Sequence, residues 1–123
     1  MQNPKATLPP KQQPHHYYMQ ILRTAVIGVG YLGRFHAQKY QQLPQCKLIA
    51  VCDANRATAE KVATELQVTA STNYHSLLNE VDAVSIVVPT QQHFAIARDC
   101  LAAGKHVLLE KPMTTTVAEA KEL

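Results

Sequence analysis

The chain has 123 residues, the size of one domain: too short for a two-domain enzyme, long enough to bury a core. Hydrophobic residues make up 46% and charged residues 17%, which excludes a disordered or fibrous chain. The formal net charge is +3, and Lys5 and Lys11 supply two of those charges before residue 21, so the rest of the chain offers no electrostatic case for nucleic acid or an anionic membrane.

Residues 1–20 hold four of the seven prolines and no apolar stretch. Proline fixes φ and removes a backbone donor, so this segment reads as a flexible leader and not as a signal sequence. Met19 stands directly before the first apolar run and is the expected biological start. From Ile21 onward, runs of strand length alternate with stretches of helical period. Ile21–Val29 predicts a strand entering a glycine turn. Tyr31–Gln42 predicts a helix that stops before Pro44. Lys47–Asp53 is the second strand. Arg56–Gln67 is a helix with Ala59, Val62, Ala63 and Leu66 on one stripe. Val68–Ala70 is a short third strand, and Asn73 can cap a brief helix carrying Leu77 and Leu78. Ala83–Val88 is the continuous apolar run of a strand covered on both faces. Gln92–Ala103 is a helix that Gly104 can close, His106–Leu109 is the fifth strand, and Thr116 with Glu119 forms a capping box for a further helix. The alternation predicts an α/β fold, a Rossmann-type doubly wound parallel sheet with right-handed crossovers over residues 21–123.

The chemistry sits where strands end. Gly28-Val29-Gly30-Tyr31-Leu32-Gly33 follows a strand and opens a helix. Gly28 permits the tight turn, Gly30 lets a pyrophosphate approach bare backbone, and Gly33 lets the helix pack on the strand. The helix N-terminus adds free N–H groups and a partial charge of about +0.5 e. Asp53 ends the second strand, placed to accept hydrogen bonds from an adenosine ribose and to repel a 2′-phosphate. That favours NAD, with NADP as the alternative because Arg56 follows closely. Simple capping of the next helix is the other reading of Asp53. Pro89, Thr90 and His93 follow the fourth strand; Glu110, Lys111 and Pro112 follow the fifth. These loops are expected to line the nicotinamide end. Lys111 can hold a reacting oxygen and stabilise its charge; a surface pair with Glu110 is the alternative. His93 alone reads more readily as a packed helix-start residue than as a catalyst, and His36 reads as packing. No histidine or carboxylate spacing suggests a metal. Cys46, Cys52 and Cys100 show no CxxC spacing, which points to a reducing cytoplasm and, for Cys52 and Cys100, to buried small hydrophobes. The apolar runs of about six to eight residues fall short of the ~20 of a membrane helix.

GVGYLGRFHAQKY, VCD and VVPTQQHFAIARDCLAAGKHVLLEKPM together resemble the N-terminal domain of the Gfo/Idh/MocA oxidoreductases, over residues 21–123. The resemblance implies NAD(P) and hydride exchange with a secondary alcohol carbon of a sugar or cyclitol. Gly28, Gly30 and Gly33 match the dinucleotide turn, Asp53 the ribose-binding acid, Thr90 and His93 the loop beside the nicotinamide. Glu110, Lys111 and Pro112 match a signature in which the lysine assists catalysis. Val-Pro-Thr-Gln-Gln-His replaces the usual Thr-Pro-Asn before the histidine, which leaves a side-chain role for Thr90 open. GVGYLGRFHAQKY and LLEKPMTTTVAEA look most like the branch of UDP-N-acetylglucosamine 3-dehydrogenases. Family members continue into a second domain carrying a catalytic histidine, a substrate wall and much of a homo-oligomer interface. The 123 residues are therefore expected to bind cofactor but not to turn over alone, and Val107–Leu109 to be an apolar sheet edge. Two other classes stay open: a non-catalytic dinucleotide or redox-sensing module, and an S-adenosylmethionine site, which leaves Glu-Lys-Pro unexplained.

Overall fold

The computed structural model describes residues 21–110, 114 and 116–123. The leader, the Met19 start, Lys111 and Pro112 lie outside the described residues. Five strands form one parallel sheet in the order β3-β2-β1-β4-β5. They are β1 (Leu22–Ile27), β2 (Cys46–Cys52), β3 (Thr69–Ser71), β4 (Ala83–Ile86) and β5 (His106–Leu109). The helices are α1 (Tyr31–Gln42), α2 (Arg56–Leu66), α3 (His93–Ala102) and α4 (Val117–Glu122), with short 3-10 turns at Tyr74–Leu77 and Thr90–Gln92.

The order reverses between β1 and β4, so a crevice opens beyond their carboxyl ends. Both central strands are buried on both faces: Thr24 to Ile27 and Val84 to Ile86 are all at most 3% exposed. The two polar residues in that set are satisfied. The Thr24 hydroxyl donates to the Lys47 carbonyl at 3.2 Å, and the Ser85 hydroxyl lies 2.6 Å from the Tyr40 hydroxyl. A buried hydroxyl without a partner costs ~1–3 kcal/mol, so these bonds are what admit polar residues to the sheet.

Two cores cover the two faces. Ala25, Ile27, Val84 and Ile86 pack with Ile96, Ala97 and Cys100 of α3. Val26 and Val51 pack with Ala37 of α1 and with Val62 and Ala63 of α2. In β2 the face changes out of phase. Thr24 pairs with Leu48 but Ala25 pairs with Ala50, which leaves Ile49 as an inserted residue. Leu48 therefore joins the α1–α2 core while Ala50 and Cys52 join the α3 core.

The element ends have local causes. Gly28 adopts φ +93° and ends β1 two residues before the predicted Val29. β4 stops at Ile86, and a last bond from the Val87 N–H to the Ile27 carbonyl closes the pairing short of Val88. Gln67, at φ +60°, closes α2 and delays β3 to Thr69. Asn55 caps α2 by accepting from the Thr58 N–H, and Thr116 caps α4 through the Glu119 N–H. Gly104 closes the α3–β5 connection at φ +79°. Among the described strands β5 is an edge, with Leu108 54% exposed.

Candidate functional site

The turn between β1 and α1 is held by contacts that only glycine allows. A Cβ on Gly28 would strike the Val87 carbonyl, and its φ already disfavours a side chain. A Cβ on Gly33 would fall on the Gly28 carbonyl oxygen, so α1 sits directly against the turn. Gly30 differs: a Cβ there would meet nothing within 4 Å. Gly30 is the N-cap of α1 and has no side chain to bond the first-turn N–H groups. The first turn of α1 thus has no capping side chain and the space beside Gly30 is open, an arrangement that admits an anion.

Asp53 is tied to this turn. Its Oδ2 accepts the Val29 N–H at 3.0 Å and its Oδ1 accepts the Asn55 N–H at 2.9 Å. Capping of α2 belongs to Asn55, so the capping reading of Asp53 does not hold. Each carboxylate oxygen thus uses one lone pair on the backbone and has a second acceptor site.

A cleft of about 410 Å³ opens at this point, lined by Gly28, Gly30, Asp53, Thr72, Tyr74, Pro89 and Gln92, with Ile27, Val87, Val88 and Ile96 among its apolar floor. Gly28, Gly30, Asp53 and Pro89 thus line one cleft. Val29 and Tyr31 line a neighbouring hollow of about 390 Å³ between α1 and α2, beside the Arg34–Glu65 ion pair. Tyr31 is 81% exposed and packs edge-on against Phe35; Leu32 is also exposed. Arg56 reaches Thr72 Oγ1 at 3.3 Å and Glu60 at 3.5 Å, beside the cleft but not in its lining.

The loop after β4 divides its residues between the cleft and the interior. His93 is buried, and its Nε2 lies 2.8 Å from the Val88 carbonyl oxygen. The ring thus braces the end of β4 from inside, and neither it nor Thr90 is part of the cleft lining. The 3-10 turn Thr90–Gln92 leads into His93, and its last residue, Gln92, is in the cleft lining. The Thr90 carbonyl accepts the His93 N–H and holds this turn. Glu110 follows β5, and His36 Nε2 of α1 lies 3.8 Å from its Oε2. Lys111 lies outside the described residues, so its pairing and its approach to the cleft stay expectations.

Gln92, Thr72 and Tyr74 were not singled out from the sequence. The signal for Gln92 was its place just after Pro89, in the loop that follows β4. Tyr74 had none, because it reaches the cleft from the crossover between β3 and β4. Burial pushes the Cys52 and Cys100 thiols up to about 11, which keeps both protonated at neutral pH and unfit as nucleophiles. Among the described residues no group of histidine, cysteine and carboxylate side chains could hold a metal, and no helix is long and apolar enough to cross a membrane.

Comparison with known proteins agrees with this geometry. A family described as the oxidoreductase family, NAD-binding Rossmann fold (GFO_IDH_MocA) matches residues 22–123. The UDP-N-acetylglucosamine 3-dehydrogenase of Acidithiobacillus ferrooxidans is 53% identical over 102 residues, covering 83% of this chain and 32% of that protein. The scyllo-inositol 2-dehydrogenase (NAD(+)) of Bacillus subtilis is 36% identical, covering 81% of this chain and 30% of that protein. The chain thus spans about a third of the length of these curated relatives. The solved A. ferrooxidans enzyme superposes with a TM-score of 0.79 at 51% identity, over 82% of this chain and 33% of that one. GenD2 from gentamicin A biosynthesis, solved in complex with NAD, gives a TM-score of 0.81 at 30% identity, over 84% of this chain and 30% of that one. With its glycine turn, its switch-point cleft and a match that runs from Leu22 to Leu123, the chain belongs to the Gfo/Idh/MocA oxidoreductases and carries their NAD-binding Rossmann fold.

Proposed function

We propose that this chain binds NAD for an enzyme that oxidises a secondary alcohol of a nucleotide-sugar, the 3-hydroxyl of UDP-N-acetylglucosamine. The observation that carries the cofactor assignment is the open face of Gly30 beside a carboxylate that has spare lone pairs. The pyrophosphate would lie against Gly28 and Gly30, with the first-turn N–H groups of α1 directed at it. Asp53 would accept from the adenosine ribose hydroxyls, and its charge would oppose a 2′-phosphate, so NAD is favoured over NADP. Arg56 works against that preference only weakly, because Glu60 and Thr72 already engage it. Gln92 and Pro89 would line the way to the nicotinamide end, with His93 and Thr90 fixing the loop that carries them.

When bound, NAD supplies the hydride acceptor at its nicotinamide ring. The protein's part is to hold the alcohol oxygen and move its proton. Lys111, two residues beyond β5 in the sequence, would hold the oxygen, because a cation there favours the charge that develops as the proton leaves. Glu110 and Pro112 would set the approach of that lysine. A base outside these 123 residues would take the proton, and a wall outside them would seat the sugar. The nucleotide-sugar assignment rests on the likeness to the A. ferrooxidans enzyme, a homo-oligomer is the expected assembly, and free cysteines suit the cytoplasm.

Titration of the chain with NADH, NADPH and S-adenosylmethionine tests the cofactor reading. NADH is expected to bind most tightly; tighter binding of S-adenosylmethionine, or no binding of NADH, refutes it. Turnover of UDP-N-acetylglucosamine with NAD by the longer polypeptide tests the substrate. NADH binding without turnover of any sugar would favour a redox-sensing module.

A further inference from the structure

One helix bears on both the glycine turn and the residue that follows β5. Gly33, His36, Ala37 and Tyr40 stand at i, i+3, i+4 and i+7 in α1, so they share one face. Gly33 seats that face on the Gly28 carbonyl, and Ala37 is fully buried. Tyr40 ties it to β4, its hydroxyl 2.6 Å from the Ser85 hydroxyl. The helix is therefore fixed on either side of His36, over a rise of about 10 Å.

Support on the strand side is thinner. Leu109, paired with Ile86, is the last residue of β5 in the ladder, and Glu110 stands one residue past it. Nor does α1 close on β5. A groove of about 410 Å³ lies between them, lined by Phe35, Tyr40, Leu43 and Leu108, and Leu108 stays exposed. His36 lines the same groove and reaches Glu110, with Nε2 3.8 Å from Oε2. That is an ion-pair distance, longer than a hydrogen bond. The His36 side chain is 17% exposed and that of Glu110 36%, so solvent screens the pair less than it screens a fully exposed one. The sequence reads His36 as packing; the structure gives it a partner, the carboxylate directly before Lys111.

We propose that His36 is a positioning residue for the reaction: carried by α1, it fixes the Glu110 carboxylate and, through it, the approach of the next residue, Lys111, to the alcohol oxygen. This deepens the oxidoreductase reading and rests on it. Cofactor and lysine are then set from one rigid element, the helix whose first turn faces the diphosphate. The test compares wild type, His36→Leu and His36→Gln in two ways: amide ¹⁵N–¹H spectra of the 123-residue chain, and steady-state kinetics of the longer polypeptide with NAD and UDP-N-acetylglucosamine. His36→Leu keeps bulk and loses both ring nitrogens; His36→Gln keeps an N–H donor but no ring. His36→Leu is expected to shift the amide signals of Glu110 and Lys111 and to leave NADH affinity unchanged, since His36 is not in the cleft lining. Its kcat is expected to fall about tenfold, short of the ~100-fold that a 1 Å misplacement can cost, with KM for NAD unchanged. His36→Gln recovers most of both effects, and recovery without a ring excludes a ring-current origin of the shifts. Unmoved amides in His36→Leu, or a His36→Gln variant that behaves like it, overturn the contact. An unchanged kcat, or a loss of NADH affinity in step with kcat, overturns the positioning role. A longer polypeptide that binds NADH but oxidises no sugar removes the oxidoreductase reading, while the amide spectra still decide whether His36 holds Glu110.

Discussion

Alanine at Gly30 and at Gly33 should separate ligand approach from folding, although the two glycines share one turn. At Gly30 the added methyl meets nothing within 4 Å, and the residue's φ is negative. The cost is that of a poorer N-cap, about 1 kcal/mol or less. In a domain of this size that lowers Tm by roughly 4–8 °C at most. The methyl does project where a diphosphate would touch the backbone. Loss of one hydrogen bond to a charged group costs ~1.5–3 kcal/mol, or about 10- to 150-fold in Kd. Gly33 reverses the pattern. Its Cβ would fall on the Gly28 carbonyl oxygen, which is main chain and cannot swing aside. Overpacking of this kind costs ~1–3 kcal/mol and at such overlap the upper end applies. The gain in helix propensity from glycine to alanine, ~0.8–1 kcal/mol, offsets only part of it. Thermal melts followed by circular dichroism and NADH titration of both variants read the two quantities separately. Gly30→Ala that keeps wild-type NADH affinity would refute the placement of the diphosphate. Gly33→Ala that melts with the wild type would refute the close seating of α1.

Three further outcomes are expected. Asp53→Ser should shift preference from NADH toward NADPH in parallel titrations, since the carboxylate that opposes a 2′-phosphate is gone; an unchanged ratio removes the ribose assignment. Arg23 clasps Asp82 through two side-chain bonds and its own backbone N–H, and these hold the Asp82 carboxyl at about 2. A folded value below the unfolded one stabilises the fold above pH ~4, and that contribution disappears as pH falls through about 2. The Tm difference between wild type and Asp82→Asn should therefore shrink on acidification across this window; a gap that widens would contradict the clasp. Finally, Leu108→Lys on the edge strand should reduce concentration-dependent association of the 123-residue chain in light scattering, and a wild-type chain that is monomeric at high concentration would argue against an adhesive edge.

Periodicity and the glycine turn made the alternation of strands and helices legible, because a strand covered on both faces and a helix with one apolar stripe leave different marks in a linear sequence. Tyr31–Gln42 and His106–Leu109 fall where the pattern puts them, and Asn73 and Thr116 cap as their side chains suggest. The turn at Gly28 was also legible, since its φ of +93° is backbone that glycine adopts without strain. The site's remaining geometry came from contacts between distant segments. The insertion at Ile49 shifts the phase of β2, and with it the face on which the strand's last residues lie, yet nothing in KLIAVCD marks it. The 3-10 turn Thr90–Gln92 stands where the pattern put the start of a helix, and the Val88 carbonyl that His93 meets is fixed by the placement of β4. Tyr74 lines the cleft from the turn after β3 and bonds Asp99 of α3, a meeting of residues 25 apart that only folding creates. A sequence carries what each residue does to its own backbone and to its neighbours one turn away; which side chains meet across the crevice is settled by packing, where register and helix placement are decided together.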